Sequence, residues 1–541
     1  MGRAALEHMI GFIGGLDDAP ADNIEGSMEL GRALRAAPPE LGGDFDELMD
    51  EVLEAMSKAR EYAGPGYLAY IPGGGLFTSA LGEFVARGYN RFVGLWQQGP
   101  AAVAIEENVT RWLCDLFAYP EGAQGLLTTG GSLANLSAVV AARHTKLGED
   151  FRDGTYYVSE HAHASVTKAA TIAGFSRSNL RIVPTDAELR IDPEALAAAV
   201  AEDRRAGLRP FMVVASAGTT NTGAIDPLAD VADVAASEGL WMHVDAAYGG
   251  FFQLTERGRS WFRGIERSDS VTLDPHKGLF LPYGTGALVV RDGEALRDAH
   301  FEGAAYLQDL PPSGELPNYS EHSLELSREF RGLRVWFPLR LHGVEAFREA
   351  LDEKLDLAAY LADAFEDDPN VELCWQPQLT VVAFRLPGRL AGTDDAERQK
   401  VFLDRINASK RVFLSSTMID GEYVLRACIL SHRTHKDRID ECIDIDHRAR
   451  QEDALRRVDP IEERLLPLDV VDARQAAREP KRHNGELRLP AQLDVRIVLE
   501  RLCEVGGEIQ LLVERFAERL HTVQTQGEPH PEPPELPREL E

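Results

Sequence analysis

The chain has 541 residues, of which 44% are apolar and 27% charged, and it carries a formal net charge of −31. That length accommodates two or three domains around a large core, and the composition is that of a soluble globular protein. So negative a chain is a poor partner for nucleic acid or for an anionic membrane surface.

Residues 1–63 read as helices with acidic faces. The opening MGRAALEHMIGFIGGL suggests an amphipathic helix and not a secretory leader, because its apolar run is short, preceded by Glu7 and His8, and broken by glycine. No run approaches membrane-spanning length. Between Gly64 and Gly99 the chain is rich in glycine and aromatic residues (GPGYLAYIPGGGLF, YNRFVGLWQQG), as in loops that shape a pocket or in an irregular packing segment. Apolar, β-branched runs then recur at Gly125–Leu127, Tyr156–Val158, Phe211–Ala215, Leu240–Val244, Val271–Leu273 and Ala287–Val290. Helical stretches separate many of them. Asp192–Pro193 and Asp226–Pro227 mark two helix starts, and Gly239 a helix end. Strands alternating with capped helices predict an α/β domain over residues 64–342, with a mostly parallel sheet covered by helices on both faces.

A helix over roughly residues 343–367 leads into a smaller α+β domain, 343–450. Its strands are expected at Val371–Cys374, Thr380–Arg385, Val412–Ser415 and Tyr423–Ala427, with helices at Ala396–Ser409 and Lys436–Arg448. Charged helices follow over 451–525, and the Pro- and Glu-rich residues 526–541 are expected to be disordered. The five cysteines, Cys114, Cys374, Cys428, Cys442 and Cys503, are far apart and include no C-x-x-C. They indicate neither a disulfide framework nor a zinc site, and the expected setting is a reducing cytoplasm.

In SVTLDPHKGLF, Lys277 follows His276 where a short strand runs out. A lysine there is either a solvated surface group or an amine held at the mouth of a cleft, able to form a Schiff base. Four other stretches bear on the choice, because an open parallel sheet carries its functional groups at the carboxyl ends of strands. In TTGGSLANLSAVVAA, Gly130 and Gly131 turn into a helix beginning near Ser132, which would make a phosphate cradle of free amides and a positive helix end. In HVDAAYGG, Asp245 ends a strand and could be a metal ligand, a cap or the partner of a protonated ring nitrogen. Ala246 and Ala247 beside it would let a flat ring lie close. His163 in SEHAHASVTKAA could cap a helix or stack on such a ring, and Thr219 in ASAGTTNTGAIDP could hydrogen-bond ring substituents. Pyridoxal phosphate needs this set: a cradle, an acid that keeps its pyridine nitrogen protonated, and a lysine for its aldehyde.

These residues, with the stretches GPAAVAIEENV, EHAHASV, SAGTTNTGAIDPL, DPHKG and SREFRGLRVWF, resemble the group II pyridoxal-phosphate-dependent amino acid decarboxylases, which include aromatic-L-amino-acid and glutamate decarboxylases. The likeness runs over roughly residues 65–447. It implies a fold type I enzyme acting as a homodimer with the active site at the interface. It further implies that Gly131 and Ser132 hold the phosphate, His163 stacks on the ring, and Thr219 touches a cofactor oxygen. Asp245 would pair with the ring nitrogen, Ala247 would lie beneath the ring, His276 would flank the cofactor linkage, and Lys277 would carry it. Two departures stand out: Asp274 occupies a position that is often Asn, and the tail from about Gln451 has no counterpart.

Between Phe301 and Arg328 the chain is rich in Pro, Gly and charge, as a mobile surface loop would be. In the resembling enzymes a loop here supplies a tyrosine that protonates the intermediate left by carbon dioxide, and counting back from SREFRGLRVWF assigns that part to Tyr319. Phenylalanine at that position goes with aldehyde formation. The resemblance also places Tyr70, Ile71, Pro72, Phe92, Leu95 and Trp96 in the substrate pocket, a lining that favours an aromatic L-amino acid. Arg91 is the one arginine there that could serve an acidic substrate. The expected activity is decarboxylation of an L-amino acid to its amine. An aldehyde synthase, an acidic-amino-acid decarboxylase, an aminotransferase or carbon–carbon lyase, and a non-catalytic scaffold are the alternatives.

Overall fold

Strands whose residues are apolar on both faces must be covered on both faces, and the largest sheet obeys this rule. Its strands are β1 (Gln124–Thr128), β2 (Gly154–Ser159), β3 (Leu180–Val183), β4 (Arg209–Ser216), β5 (Trp241–Asp245), β6 (Ser270–Leu273) and β7 (Gly286–Val290), in the order β1-β7-β6-β5-β4-β2-β3. The structure, a computed structural model, describes residues 1–302, 316–388 and 395–462, with side chains described through residue 450. Met1–Arg457 form one compact unit. The expected helical segment 451–525 and tail 526–541 fall mostly outside the described residues.

All pairings in the large sheet are parallel except those of β7, which is antiparallel to both β1 and β6. The carboxyl ends of β1, β2, β4, β5 and β6 therefore share one edge. Ser216, Asp245 and Thr272 lie abreast there in the ladder. Gly286 lets β7 pass close to the turn after β1, since a Cβ there would lie 2.4 Å from Gly130 Cα. The edge strand β3 was not expected: it is only four residues long, and Ile182 faces solvent.

Helix starts follow local chemistry in one case and depart from it in another. Asp192 caps Pro193–Arg205, accepting from the backbone N–H groups of Glu194 and Ala195. Asp226 does not cap its helix. Its carboxylate turns inward and accepts from Ile191 N (2.7 Å) and Ser216 N (2.6 Å), so it ties β4 to a neighbouring loop. Burial pushes that carboxyl up to about 6. Gly239 ends Leu228–Glu238 with φ 64°, the left-handed conformation that favours glycine.

The second sheet is antiparallel throughout, with strands β8 (Glu372–Leu373), β9 (Val381–Arg385), β10 (Ser415–Ile419) and β11 (Glu422–Cys428) in the order β10-β11-β9-β8. The helix expected from residue 343 belongs to Gly332–Glu366, which breaks at Gly343 (φ 77°, ψ 157°). The strand expected at Val412–Ser415 begins only at Ser415. The preceding residues bond instead to 66–68, through Leu68 N to Phe413 O and Phe413 N to Gly66 O.

The motifs IEEN and SREFRGLR meet in a buried ionic cluster. Glu106, on helix Pro100–Leu116, accepts from Arg328 Nη1 and from Gly332 N (2.9 Å), and both charged side chains are wholly buried. Arg328 Nη2 donates to Leu127 O (2.9 Å), and its guanidinium lies 4.6 Å from the centre of the Tyr319 ring. Arg331 and Arg334 extend the cluster to Glu325, Glu329 and Glu83. Removing one partner of a buried pair strands the other charge, at a cost of about 3–5 kcal/mol. Glu106→Ala should therefore lower the urea midpoint markedly, and Glu106→Gln, which keeps an acceptor, by less. An unchanged midpoint in both variants would put the anchoring of this segment elsewhere.

Candidate active site

The shared edge of the large sheet opens into a cleft of about 280 Å³ lined by Gly130, Gly131, Ser132, His163, Thr219, Asp245, Ala247, His276 and Lys277, together with Asp274. Every cofactor-binding residue expected from the sequence is among them. Each arrives by the same local logic: a buried strand ends, and the chain turns into a helix or loop whose first residues face the edge.

Helix Gly131–Leu147 begins right after β1, so its first amide groups have no intrahelical acceptor. A Cβ on Gly131 would press on Asp274 Oδ2 at 3.1 Å and Ala247 Cβ at 3.2 Å. Glycine therefore keeps those amides bare, as a phosphate cradle requires. Asp245, only 8% exposed at the end of β5, accepts from Asn135 Nδ2 (3.0 Å) and from Ala247 N (3.2 Å). Thr219 is buried, with its hydroxyl 2.6 Å from that of Thr222. Arg426 of β11 holds this loop from the second sheet by donating to Thr220 O (2.5 Å) and Asn221 O (3.2 Å).

Lys277 lies in the single turn Pro275–Gly278 after β6, its Nζ 2.9 Å from Asp274 Oδ2. Asp274 is buried, and its Oδ1 has no hydrogen-bond partner. His276 Nδ1–H donates to Thr285 O (2.8 Å), which leaves Nε2 as an acceptor. Burial lowers the His276 pKa and so favours the neutral ring. His163 caps Ala164–Ile172: its Nδ1 accepts from Ser165 N (3.3 Å) and lies 2.7 Å from Ser165 Oγ, so the hydrogen of its neutral ring sits on Nε2.

Tyr319 is not at this cleft. It begins the short turn Tyr319–Glu321, is 0% exposed, and hydrogen-bonds Glu107 Oε2 (3.1 Å) and Thr110 Oγ1 (3.2 Å) beneath the Arg328 guanidinium. The expected mobile loop tyrosine is thus a core residue, packed against the Arg328 guanidinium that the ionic cluster fixes. The other tyrosine between Phe301 and Arg328 is Tyr306, outside the described residues.

The expected substrate-pocket residues do not line this cleft within one chain. Tyr70 and Ile71 have φ of 57° and 66°, which is strained backbone for non-glycine residues, and Tyr70 is 56% exposed. They and Pro72 lead into Gly73, where a Cβ would lie 3.0 Å from His276 O, so this segment runs alongside the lysine turn. Leu95 and Trp96 sit instead beside the Tyr319 turn, with Trp96 N donating to Asn318 Oδ1 (3.1 Å) and Ser320 N to Gly94 O (3.0 Å).

Sequence reasoning missed Asn135, Ser165, His243 and Arg426. Two of these carried a readable signal. Asn135 stands one helical turn after Gly131 and shares its face, and His243 stands two residues before Asp245 on the same face of β5.

Bare amides at a helix start, a buried acid at a strand end, and a lysine one strand further on fit the phosphate, ring nitrogen and aldehyde of one cofactor. The fold and cleft are those of a fold type I pyridoxal-phosphate enzyme. Residues 30–387 match the pyridoxal-dependent decarboxylase conserved domain. The chain is 35% identical over 439 residues to an aromatic-L-amino-acid decarboxylase of Bacillus atrophaeus, covering 80% of this chain and 91% of that protein. It is 30% identical over 422 residues to a phenylacetaldehyde synthase of Arabidopsis thaliana, covering 74% and 86%. The crystal structure of Oryza sativa TDC with PLP and tryptamine superposes with a TM-score of 0.78 at 28% identity, over 83% of this chain and 97% of that one. The chain belongs to the pyridoxal-dependent decarboxylase family. It is a pyridoxal-phosphate-dependent amino acid decarboxylase.

Borohydride reduction of the protein with added pyridoxal phosphate should place the label on Lys277, and Lys277→Ala should stay colourless and inactive with its melting temperature retained. Asp245→Asn should lose roughly 10²–10³-fold in turnover, as when one preorganised electrostatic partner is removed. Near-normal turnover in Asp245→Asn would assign this acid to structure.

Proposed function

We propose that the chain decarboxylates an aromatic L-amino acid to the corresponding amine. The observation that carries this reading is the cleft itself, with Lys277, Asp245, His163 and the Gly131–Ser132 helix start on one sheet edge. The printed activities of the similar proteins, an aromatic-L-amino-acid decarboxylase and a phenylacetaldehyde synthase among them, support aromatic substrates. So does the apolar character of Tyr70, Ile71, Pro72, Leu95 and Trp96.

In this reading Gly131 and Ser132 hold the phosphate through amide and hydroxyl hydrogens. Asp245 would pair with the ring nitrogen, His163 and Ala247 would hold the ring, and Thr219 would meet a cofactor oxygen. Lys277 would supply the amine to which the cofactor attaches. The bound cofactor supplies an electron sink for the breaking bond between Cα and the carboxylate. Before loading, Asp274 is the counter-ion of Lys277. The neutral His276 offers an acceptor beside the same amine and adds no positive charge there.

The assembly proposed is a homodimer in which a second copy completes the substrate pocket, because the expected pocket residues lie outside the cleft of a single chain. Among the described residues, no helix is long and apolar enough to cross a membrane. The setting proposed is the cytoplasm.

With Tyr319 buried, the part of proton donor to Cα passes to Tyr306, the other tyrosine of the same segment. Two experiments test the proposal. A panel of L-amino acids assayed for carbon dioxide release should show tyrosine, tryptophan, phenylalanine or their ring-substituted forms turning over well ahead of glutamate and aspartate; a preference for acidic substrates would overturn it. Amine and peroxide measured side by side should then separate the tyrosines. Tyr306→Phe should lose amine and gain aldehyde, ammonia and peroxide in air. Tyr319→Phe should keep the product ratio and lose mainly stability. The reverse pattern would restore Tyr319 as the donor.

A further inference from the structure

Beneath the cleft, a hydrogen-bonded chain runs from a tryptophan to the two groups that would face the cofactor ring, and the chemistry of its members gives it a direction. Trp241 Nε1 can only donate, and it donates to Ser270 Oγ (2.9 Å). The same oxygen lies 2.8 Å from His243 Nδ1, and because a hydroxyl oxygen can accept twice, Trp241 alone leaves the direction of that contact open. The Asp245 carboxylate only accepts, so Asn135 turns Nδ2 toward it and Oδ1 toward His243. The neutral His243 ring therefore carries its hydrogen on Nε2, which donates to Asn135 Oδ1 (3.0 Å), with Thr272 Oγ1 further off at 3.4 Å, and Nδ1 is left to accept from Ser270. With its oxygen accepting, Asn135 has both Nδ2 hydrogens to give. One goes to Asp245 Oδ2 (3.0 Å) and the other to Ser165 Oγ (2.9 Å). Ser165 passes its hydrogen to His163 Nδ1 (2.7 Å).

We propose that Asn135 and His243 are positioning residues for the cofactor ring, holding Asp245 and His163 as one hydrogen-bonded unit whose donor direction is set by the acceptor-only Asp245 carboxylate. Asn135 is the branch point. Its amide is the one group that touches both arms, and turning it over would set a carbonyl oxygen against the Asp245 carboxylate. His243 adds to that penalty, because in the tautomer that accepts from Ser270 its Nε2–H needs an acceptor. Burial lowers the His243 pKa to about 4, so the ring stays neutral and keeps this arrangement near neutral pH. Asn135, Ser165, His243, Asp245 and Ser270 are all buried, which makes each unmatched polar atom costly and the arrangement hard to scramble. One arm fixes the carboxylate that would meet the ring nitrogen. The other puts the hydrogen of His163 on Nε2, the nitrogen left free of Ser165.

The inference rests on the assignment of this cleft to pyridoxal phosphate. The experiment is a cofactor titration of the full chain, read by visible absorption, alongside kcat, KM and melting temperature. Asn135→Asp removes both donors and sets a second carboxyl group beside Asp245. It should weaken cofactor binding by about tenfold or more, the loss expected of a hydrogen bond to a charged group, and shift the balance between the protonated and unprotonated absorption bands. Ser165→Ala cuts only the His163 arm, so cofactor affinity should stay near wild type while kcat falls and KM holds. Combined with Asn135→Asp it should cost kcat little further, because that arm is already broken. His243→Gln, which can still donate to Asn135, should retain binding that His243→Leu loses. Wild-type affinity and bands in Asn135→Asp would overturn the inference. So would equal losses in His243→Gln and His243→Leu that simply track their melting temperatures. Should Asn135→Asp not fold, the His243 pair and Ser165→Ala decide the matter. A wild-type chain that takes up no cofactor would mark failure of the underlying assignment, not of the network.

Discussion

A carboxylate buried at the end of a central strand has to be matched by donors, and the neighbourhood of Asp245 is built around that need. Water cannot reach it freely, so the cost of burying the charge is offset by the Asn135 amide, the Ala247 amide and whatever cation a ligand brings. The requirement spreads outward. Asn135 must be oriented, His243 must hold one tautomer, and Ser270 must be placed by Trp241, so residues from one helix and two adjacent strands become interdependent. Parallel pairing of β4, β5 and β6 makes this possible, since it brings Ser216, Asp245 and Thr272 level at one edge.

Charge at the mouth of the cleft follows a different rule. Lys277 and Asp274 sit at the same edge and neutralise each other at 2.9 Å, one turn apart along the chain. The helix start proposed to hold the phosphate lies close by, with Asp274 Oδ2 3.1 Å from where a Cβ of Gly131 would be. An acid beside the lysine gives the amine a counter-ion before any ligand arrives, and it would oppose a phosphate held at that helix start. A residue that carries charge here instead of an amide thus bears on how the site is loaded as well as on how it works.

The second sheet and the ionic cluster around Glu106 both serve to hold loops. Arg426 reaches from β11 to the carbonyls beside Thr219, and Arg328 clamps the chain before Gly332 onto the helix that carries Glu106. In each case a planar guanidinium satisfies several carbonyl or carboxylate oxygens at once, which a lysine could not do with the same geometry. The quoted motifs IEEN and SREFRGLR are therefore parts of one structural clamp, with Tyr319 inside it.

The position of each cofactor-binding candidate was legible in the sequence because it depends on local order. A buried strand ends, a turn follows, and a polar residue at the strand end or in that turn faces the edge. That logic located Gly131, His163, Thr219, Asp245 and Lys277, and the structure brings all five to one cleft. Asp192 and Gly239 were legible for the same reason, each acting within a turn of its own position. What spans distance was decided by the tertiary structure alone. The inward turn of Asp226 depends on donors from two other segments, and the burial of Tyr319 depends on Glu107 and Thr110, more than two hundred residues earlier in the chain. The meeting of Asn135 with His243 and Asp245 joins a helix to a strand about a hundred residues later. Strand order and side-chain hydrogen bonds of that reach arise only when the sheet closes its register, whereas a cap or a strand end is set by its immediate neighbours.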